Sequence, residues 1–354
     1  MVDLPLKYQQ MPDGEVYAAI RQARQTLGDR LTILGHHYQR DEVIQFADFR
    51  GDSLDLSRQA ARATKADYIV FCGVHFMAET AAMLCQPNQT VIQPVIEALC
   101  PMASMADAAE ASEAWDALST LWEGDLLPLT YQNSVAELKA FVGRQGGAVC
   151  TSSNAAQLFR WAFSQKGHVL FLPDEHLGTN TALAMGIPYA RIGIWNPLRL
   201  PDVNSLAGCQ VIVWKGFCSV HTCFQPEDVD EARAKYPDAL IVVHPECRHE
   251  VVARADLSGS TTGIIRAVEE APAGSTVIVG TEWHLVHRLA EEYPDKQVLP
   301  LRQSECRTMA MTTARHLLYA LDGILSGTPH NIVTVDEDTA AWARVALERM
   351  LRGS

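Results

Sequence analysis

Four kinds of strand end recur three times in one order along this chain, and no other feature of the sequence limits its fold as strongly. The first kind reads LGHHYQ at 34–39, LTYQNS at 129–134 and VVHPEC at 242–247. The second is rich in small hydroxylated residues: GDS at 51–53, TSSN at 151–154 and GSTTG at 259–263. The third is FCGVHFMAE at 71–79, FLPDEHLG at 171–178 and VGTEWHLVH at 279–287, and the fourth delivers Cys100, Cys218 and Cys306 a few residues past an apolar run. Short apolar runs such as 31–34, 68–71, 169–172, 240–243 and 276–279 alternate with stretches of helical spacing. This βαβα rhythm predicts an α/β chain of parallel sheets flanked by helices. Ligands of open parallel sheets bind beyond the carboxyl ends of the strands, where all of these polar clusters fall. Three modules facing one another would therefore converge their clusters.

The repeat divides the chain into modules at 1–112, 113–226 and 227–307. The wider spacing from Cys100 to Cys218 than from Cys218 to Cys306 predicts an insertion in the middle module, placed at 186–216, where Pro188, Pro197 and Pro201 interrupt the pattern. Two amphipathic helices, near 308–325 and 335–351, are expected to pack, as part of a tail at 308–354, back on the first module.

With 354 residues, of which 48% are hydrophobic, the chain can bury several cores. A formal net charge of −13 argues against an extended nucleic-acid or anionic-membrane footprint and in favour of small-molecule ligands. No apolar run reaches membrane-spanning length, and residues 1–30 show acidic groups and helical spacing, not the pattern of a secretory signal. Nine scattered cysteines, an odd number, fit a reducing compartment, and a cytoplasmic location is expected. Because no C-x-x-C pair occurs, any metal site must be assembled from distant segments.

Cys100, Cys218 and Cys306, at equivalent places in three modules, suit an iron-sulfur cluster, since thiolates ligate iron and each module can supply one. Three ligands for four irons would leave one iron open as a Lewis acid. Cys100 and Cys306 each precede a helix-like stretch that would favour the thiolate. Buried free thiols are the ordinary alternative, and Cys247, beside His244 and Glu246, is the main rival ligand. His36, Tyr38, Tyr131, His244 and Glu246, from the first strand ends, are types that donate and accept protons. The hydroxyl clusters could hold carboxylate or phosphate, or simply cap helices. His284 and His287 form H-x-x-H next to Glu282, which could be read as a zinc hydrolase site but more simply as a structural group.

With these residues assembled, the chain resembles the quinolinate synthase family from Leu31 to Leu321. The likeness rests on HHYQRDEVIQFADFRGDSLDLSRQA (36–60), GVHFMAET (73–80), LCPMA (99–103), TSSNA (151–155), LPDEHLG (172–178), FCSVH (217–221), HPEC (244–247), GSTTGII (259–265) and GTEWHLVHRL (280–289). The resemblance implies three similar Rossmann-like domains about a pseudo-threefold axis, with the active site at their junction. It also implies condensation of iminoaspartate with dihydroxyacetone phosphate to quinolinate, phosphate and water, on the route to NAD. On matching positions, Cys100, Cys218 and Cys306 would hold a 4Fe-4S cluster. His36, Tyr38, Tyr131, His221, His244 and Glu246 would line the catalytic site, and Asn133, Ser53, Ser152, Ser260 and Thr261 would bind substrate. An aspartate-oxidising enzyme that supplies iminoaspartate is the candidate protein partner. The long middle insertion departs from the family pattern, and Cys209 and Cys223 compete with Cys218 as ligand. A non-enzymatic iron-sulfur sensor or carrier is the alternative reading.

Overall fold

The computed structural model describes residues 4–63 and 65–352. Among the described residues thirteen strands form three sheets, and every pair of these strands is parallel. The first sheet holds β1 (Leu31–His36), β2 (Phe49–Gly51), β3 (Tyr68–Cys72) and β4 (Thr90–Ile92) in the order β2-β1-β3-β4. In the second, β5 (Leu126–Tyr131), β6 (Ala148–Cys150), β7 (His168–Leu172), β8 (Ile192–Trp195) and β9 (Val211–Trp214) lie in the order β6-β5-β7-β9-β8. The third repeats the first, with β10 (Leu240–Val243), β11 (Leu257–Ser258), β12 (Thr276–Gly280) and β13 (Gln297–Pro300) ordered β11-β10-β12-β13. The apolar runs become strands because helices cover both faces of a parallel sheet; β5 and β9 are buried along their whole length. Three similar α/β modules are therefore present, as the recurrence predicts.

The chain forms two compact units, one of Met1–Cys100 with Glu305–Asp336 and one of Pro101–Ser304 with Glu337–Ser354. The second and third sheets share the latter. In the first unit, helix Ala314–Leu325 lies against helix Asp13–Leu27, and Ile20, Leu317, Leu321 and Ile324 join the core formed with Ile33 and Val70. In the third module Phe224, Val229, Ile241, Val243, Val251 and Ile278 form a separate core.

Three boundaries differ from the sequence expectation. Helix Glu337–Arg352 packs on helix Ala136–Arg144 and β6 of the second module, not on the first module. Gly143 allows this, since a Cβ there would stand 2.1 Å from the Trp342 carbonyl oxygen, and Arg349 donates to the Gly147 carbonyl at 2.5 Å. Its amphipathic pattern, with Ala343, Ala346, Leu347 and Met350 buried, said only that one face is covered. The first module ends at Cys100 and not at 112, because the indole of fully buried Trp214 donates to the Met105 carbonyl at 2.6 Å and ties the following segment to the second module. The expected insertion at 186–216 also runs too far. Its last stretch is β9, the module's own fourth strand, and the added strand is β8 at the sheet edge. Among the described residues no helix is long and apolar enough to cross a membrane.

Candidate active site

In an order such as β11-β10-β12-β13 the chain leaves β10 in one direction and returns on its other side, so the ends of β10 and β12 flank an open crevice. Glu246 follows β10 and Thr281 follows β12. Both are buried, Glu246 at 2% exposure and Thr281 at 0%. His221, on the turn beyond β9, bridges them, with Nδ1 3.0 Å from Glu246 Oε2 and Nε2 3.0 Å from Thr281 Oγ1. The hydroxyl of Tyr131, at the end of β5, donates to Glu246 Oε1 at 2.5 Å. His244 stacks on His221 with ring centroids 4.3 Å apart and accepts the Glu246 backbone N–H on Nδ1 at 3.3 Å. Four sequence-predicted residues from two modules thus meet in one buried cluster.

A carboxylate removed from water needs compensating partners to stay ionised. Burial alone would raise the Glu246 carboxyl, but His221 and His244 beside it, with the hydrogen bonds from His221 and Tyr131, outweigh that and hold it down at about 2. His221 thus presents Nδ1 to the Glu246 carboxylate and Nε2 to the Thr281 hydroxyl. Asp174, fully buried at the start of helix Glu175–Ala184, shows the opposite behaviour. Burial and then the Glu246 charge push its carboxyl well up, although Leu177 N–H donates to Oδ1 at 2.6 Å. Two buried acids in one unit are thus driven apart in proton affinity. Thr281 and Asp174 were missed as individual residues in the sequence, although both lie inside recurring strand-end motifs, GTEWH and LPDEH.

The cysteines separate by environment. Burial pushes the Cys72 thiol up to about 12 and raises Cys150, Cys209 and Cys247 as well, which makes these poor thiolates. Cys85 and Cys223 donate to the carbonyls of Ala82 and Val220 at 3.4 and 3.1 Å. Cys100, Cys218 and Cys306 are half-buried on the loops after β4, β9 and β13. Cys218 Sγ lies with ligand atoms of His221 and Glu246 inside a set mutually within 4.8 Å. Cys306 Sγ is 3.6 Å from Thr308 Oγ1 in the first unit. The helix-like stretches after Cys100 and Cys306 are only 3-10 turns, Met102–Ser104 and Met309–Met311, so they bring no helix dipole to the thiols.

Two of the three hydroxyl clusters cap helices, while in TSSN the Asn154 amide oxygen accepts from Thr151 N–H instead of capping the helix it precedes. Asp52, not Ser53, caps helix Ser53–Arg62 by accepting from Leu54 and Asp55 N–H at 3.0 Å each, and Ser260 accepts from Gly263 N–H at 3.2 Å. Ser53 and Thr261 occupy the first position of their helices, Ser152 is half-buried, and the Ser260 hydroxyl keeps a proton to donate. Asn133 Oδ1 is buried without a hydrogen-bond partner two residues past β5, an acceptor that suits a donor on a bound molecule. In the first unit His36 and Tyr38 lie edge to face with ring centroids 4.8 Å apart. The H-x-x-H pair is not a metal set: Glu282 accepts from His284 N–H while its other oxygen lies 2.8 Å from His284 Nδ1, and His287 extends to an exposed flank near Glu291.

A family model described as quinolinate synthetase A protein matches residues 18–352. Among curated relatives, a quinolinate synthase of Corynebacterium glutamicum is 50% identical, the match covering 98% of this chain and 90% of the relative. One of Bacillus licheniformis is 48% identical over 98% of this chain and 95% of its own length. A third, from a Nocardioides species, is 50% identical over 96% of this chain and 89% of its own.

Proposed function

The chain belongs to the quinolinate synthetase A family, and from that premise we propose that it condenses iminoaspartate with dihydroxyacetone phosphate to quinolinate, releasing phosphate and water. The observation that carries the reading is the buried Glu246–His221–Tyr131 cluster next to the Cys218 thiol. Carbon-carbon bond formation followed by dehydration and ring closure needs proton transfer at several atoms, hence an acid and a base held in fixed geometry. A carboxylate held at about 2 is a weak base by itself. Glu246 therefore acts through its partners: as an ionised acceptor it orients His221 through Nδ1 and fixes the Tyr131 hydroxyl, the two groups that exchange protons with substrate. His244, stacked on His221, extends this set, and Tyr38 and His36 of the first module are the further proton-transfer groups that the family reading assigns.

Ser53, Ser152, Ser260 and Thr261 supply hydroxyl donors for the carboxylates and phosphate, and Asn133 supplies the acceptor for a substrate N–H or O–H. Cys100, Cys218 and Cys306 would hold a 4Fe-4S cluster. The donor set fits, because these three are half-buried and lie on equivalent loops, whereas burial pushes up the thiols of Cys72, Cys150, Cys209 and Cys247. When bound, such a group supplies Lewis acidity toward a substrate oxygen or nitrogen. A cytoplasmic setting is proposed with it, since nine scattered cysteines, an odd number, fit a reducing compartment, and an aspartate-oxidising enzyme is the proposed supplier of iminoaspartate.

The test is anaerobic turnover of cluster-reconstituted protein with both substrates, following quinolinate and iron together. Quinolinate in proportion to cluster content supports the reading. A fully loaded cluster with no quinolinate rejects it in favour of a sensor or carrier.

A further inference from the structure

Glu246 sits on the tight turn His244–Arg248, whose carbonyls would ordinarily face water. Two of them do not. Asn180 Nδ2, on helix Glu175–Ala184, donates to the Pro245 carbonyl at 2.8 Å and to the Cys247 carbonyl at 2.8 Å. These two acceptors bracket Glu246 in the chain, so one side-chain amide holds the peptide link just before Glu246 and the link one residue beyond it. Asn180 is only 6% exposed, and its Oδ1 lies 3.3 Å from His249 Nδ1. The amide orientation follows, because a flipped group would set its oxygen against two carbonyl oxygens. Asparagine is a poor helix former with little to gain inside a buried helix, so its place here reflects the contact it makes.

We infer that Asn180 is a positioning residue for Glu246, fixing the turn from beneath so that the carboxylate meets Tyr131 and His221 together. The 2.5 and 3.0 Å contacts to those two groups leave little tolerance, and displacement of a reacting group by about 1 Å costs on the order of a hundredfold in rate. The inference rests on the proposed reaction, and its test separates the two.

Asn180→Asp keeps the size of the side chain, removes both donors and turns an acceptor toward each carbonyl. Steady-state kinetics, iron content, melting temperature and hydrogen exchange of the 244–252 backbone are measured on the cluster-loaded variant and the wild type. The expected result is a fall in kcat of about tenfold to a hundredfold. KM for both substrates and iron content stay close to wild type, and exchange is faster at 244–252 only. Asn180→Ala, which adds no repulsion, gives the same split if the aspartate variant does not fold. Wild-type kcat in Asn180→Asp overturns the inference. So do parallel losses of kcat, iron and melting temperature, or failure of both variants to fold, since each describes a merely structural residue. Wild-type protein that makes no quinolinate rejects the reaction instead, while the exchange measurement still reports on the brace.

Discussion

The turn after β1 and the turn after β10 share one backbone scheme, bond for bond. Gln39 N–H donates to the His36 carbonyl at 2.9 Å as Cys247 N–H does to that of His244 at 3.0 Å. The ring Nδ1 of each histidine accepts from the residue two places on, Tyr38 at 3.1 Å and Glu246 at 3.3 Å. Behind them, Asp48 accepts from Ile33 N–H at 2.7 Å and pairs with Arg24, while Asp256 accepts from Ile241 N–H at 2.8 Å and pairs with Arg233. Yet the position that carries Tyr38 in the first module carries Glu246 in the third. Tyr38 is half-buried against His36, whereas Glu246 is ionised and almost wholly buried, which only His221, Tyr131 and His244 make tolerable. The frame is generic, and the charge is placed by partners borrowed from the neighbouring module.

The strongest challenge to this comparison concerns the cysteines, because Cys247 belongs to the turn and Cys218 stands beside it. Cys100→Ser, Cys218→Ser and Cys306→Ser should each lose the cluster and with it all turnover, whereas Cys247→Ser keeps both. Iron and sulfide content after anaerobic reconstitution decides, and cluster loss in Cys247→Ser would reassign the ligands.

A smaller effect tests the shared frame itself. Asp48→Ala and Asp256→Ala each remove an acceptor from a strand N–H and one end of a partly exposed ion pair, so each should cost about 1–2 kcal/mol. Equal losses in denaturant unfolding sharpen the equivalence of the two turns, and a clear inequality breaks it.

The smallest effect isolates Asp174, the buried acid that feels the Glu246 charge of the third turn. A carboxyl whose folded value is raised destabilises the fold increasingly as pH rises above its unfolded value. Asp174→Asn keeps the acceptor for Leu177 N–H, so it should melt above wild type at pH 7 and with it near pH 4. A lower melting temperature at pH 7 would show that Asp174 is needed as a charge.

Much of this was legible in the chain. The strands, their threefold order and the cysteine after each fourth strand follow from short-range patterns, and HPEC and LTYQNS marked the residues that meet at Glu246. What was hidden is long-range. The pattern of helix Glu337–Arg352 could not name its partner, and Gly143, which admits the helix, carried no signal of its own. Asn180 lies in an unremarkable helical stretch, and only the fold shows which carbonyls it reaches. The turn after Cys306 has helix-like spacing but ends after a single 3-10 turn.

If the Glu246 carboxylate is the working group of the proposed cluster-dependent condensation, Glu246→Gln, assayed anaerobically with cluster absorbance recorded on the same sample, should keep an intact cluster and lose quinolinate formation by about 10²–10⁴ or more. Quinolinate formed at the wild-type rate by that variant would rule out this role for Glu246.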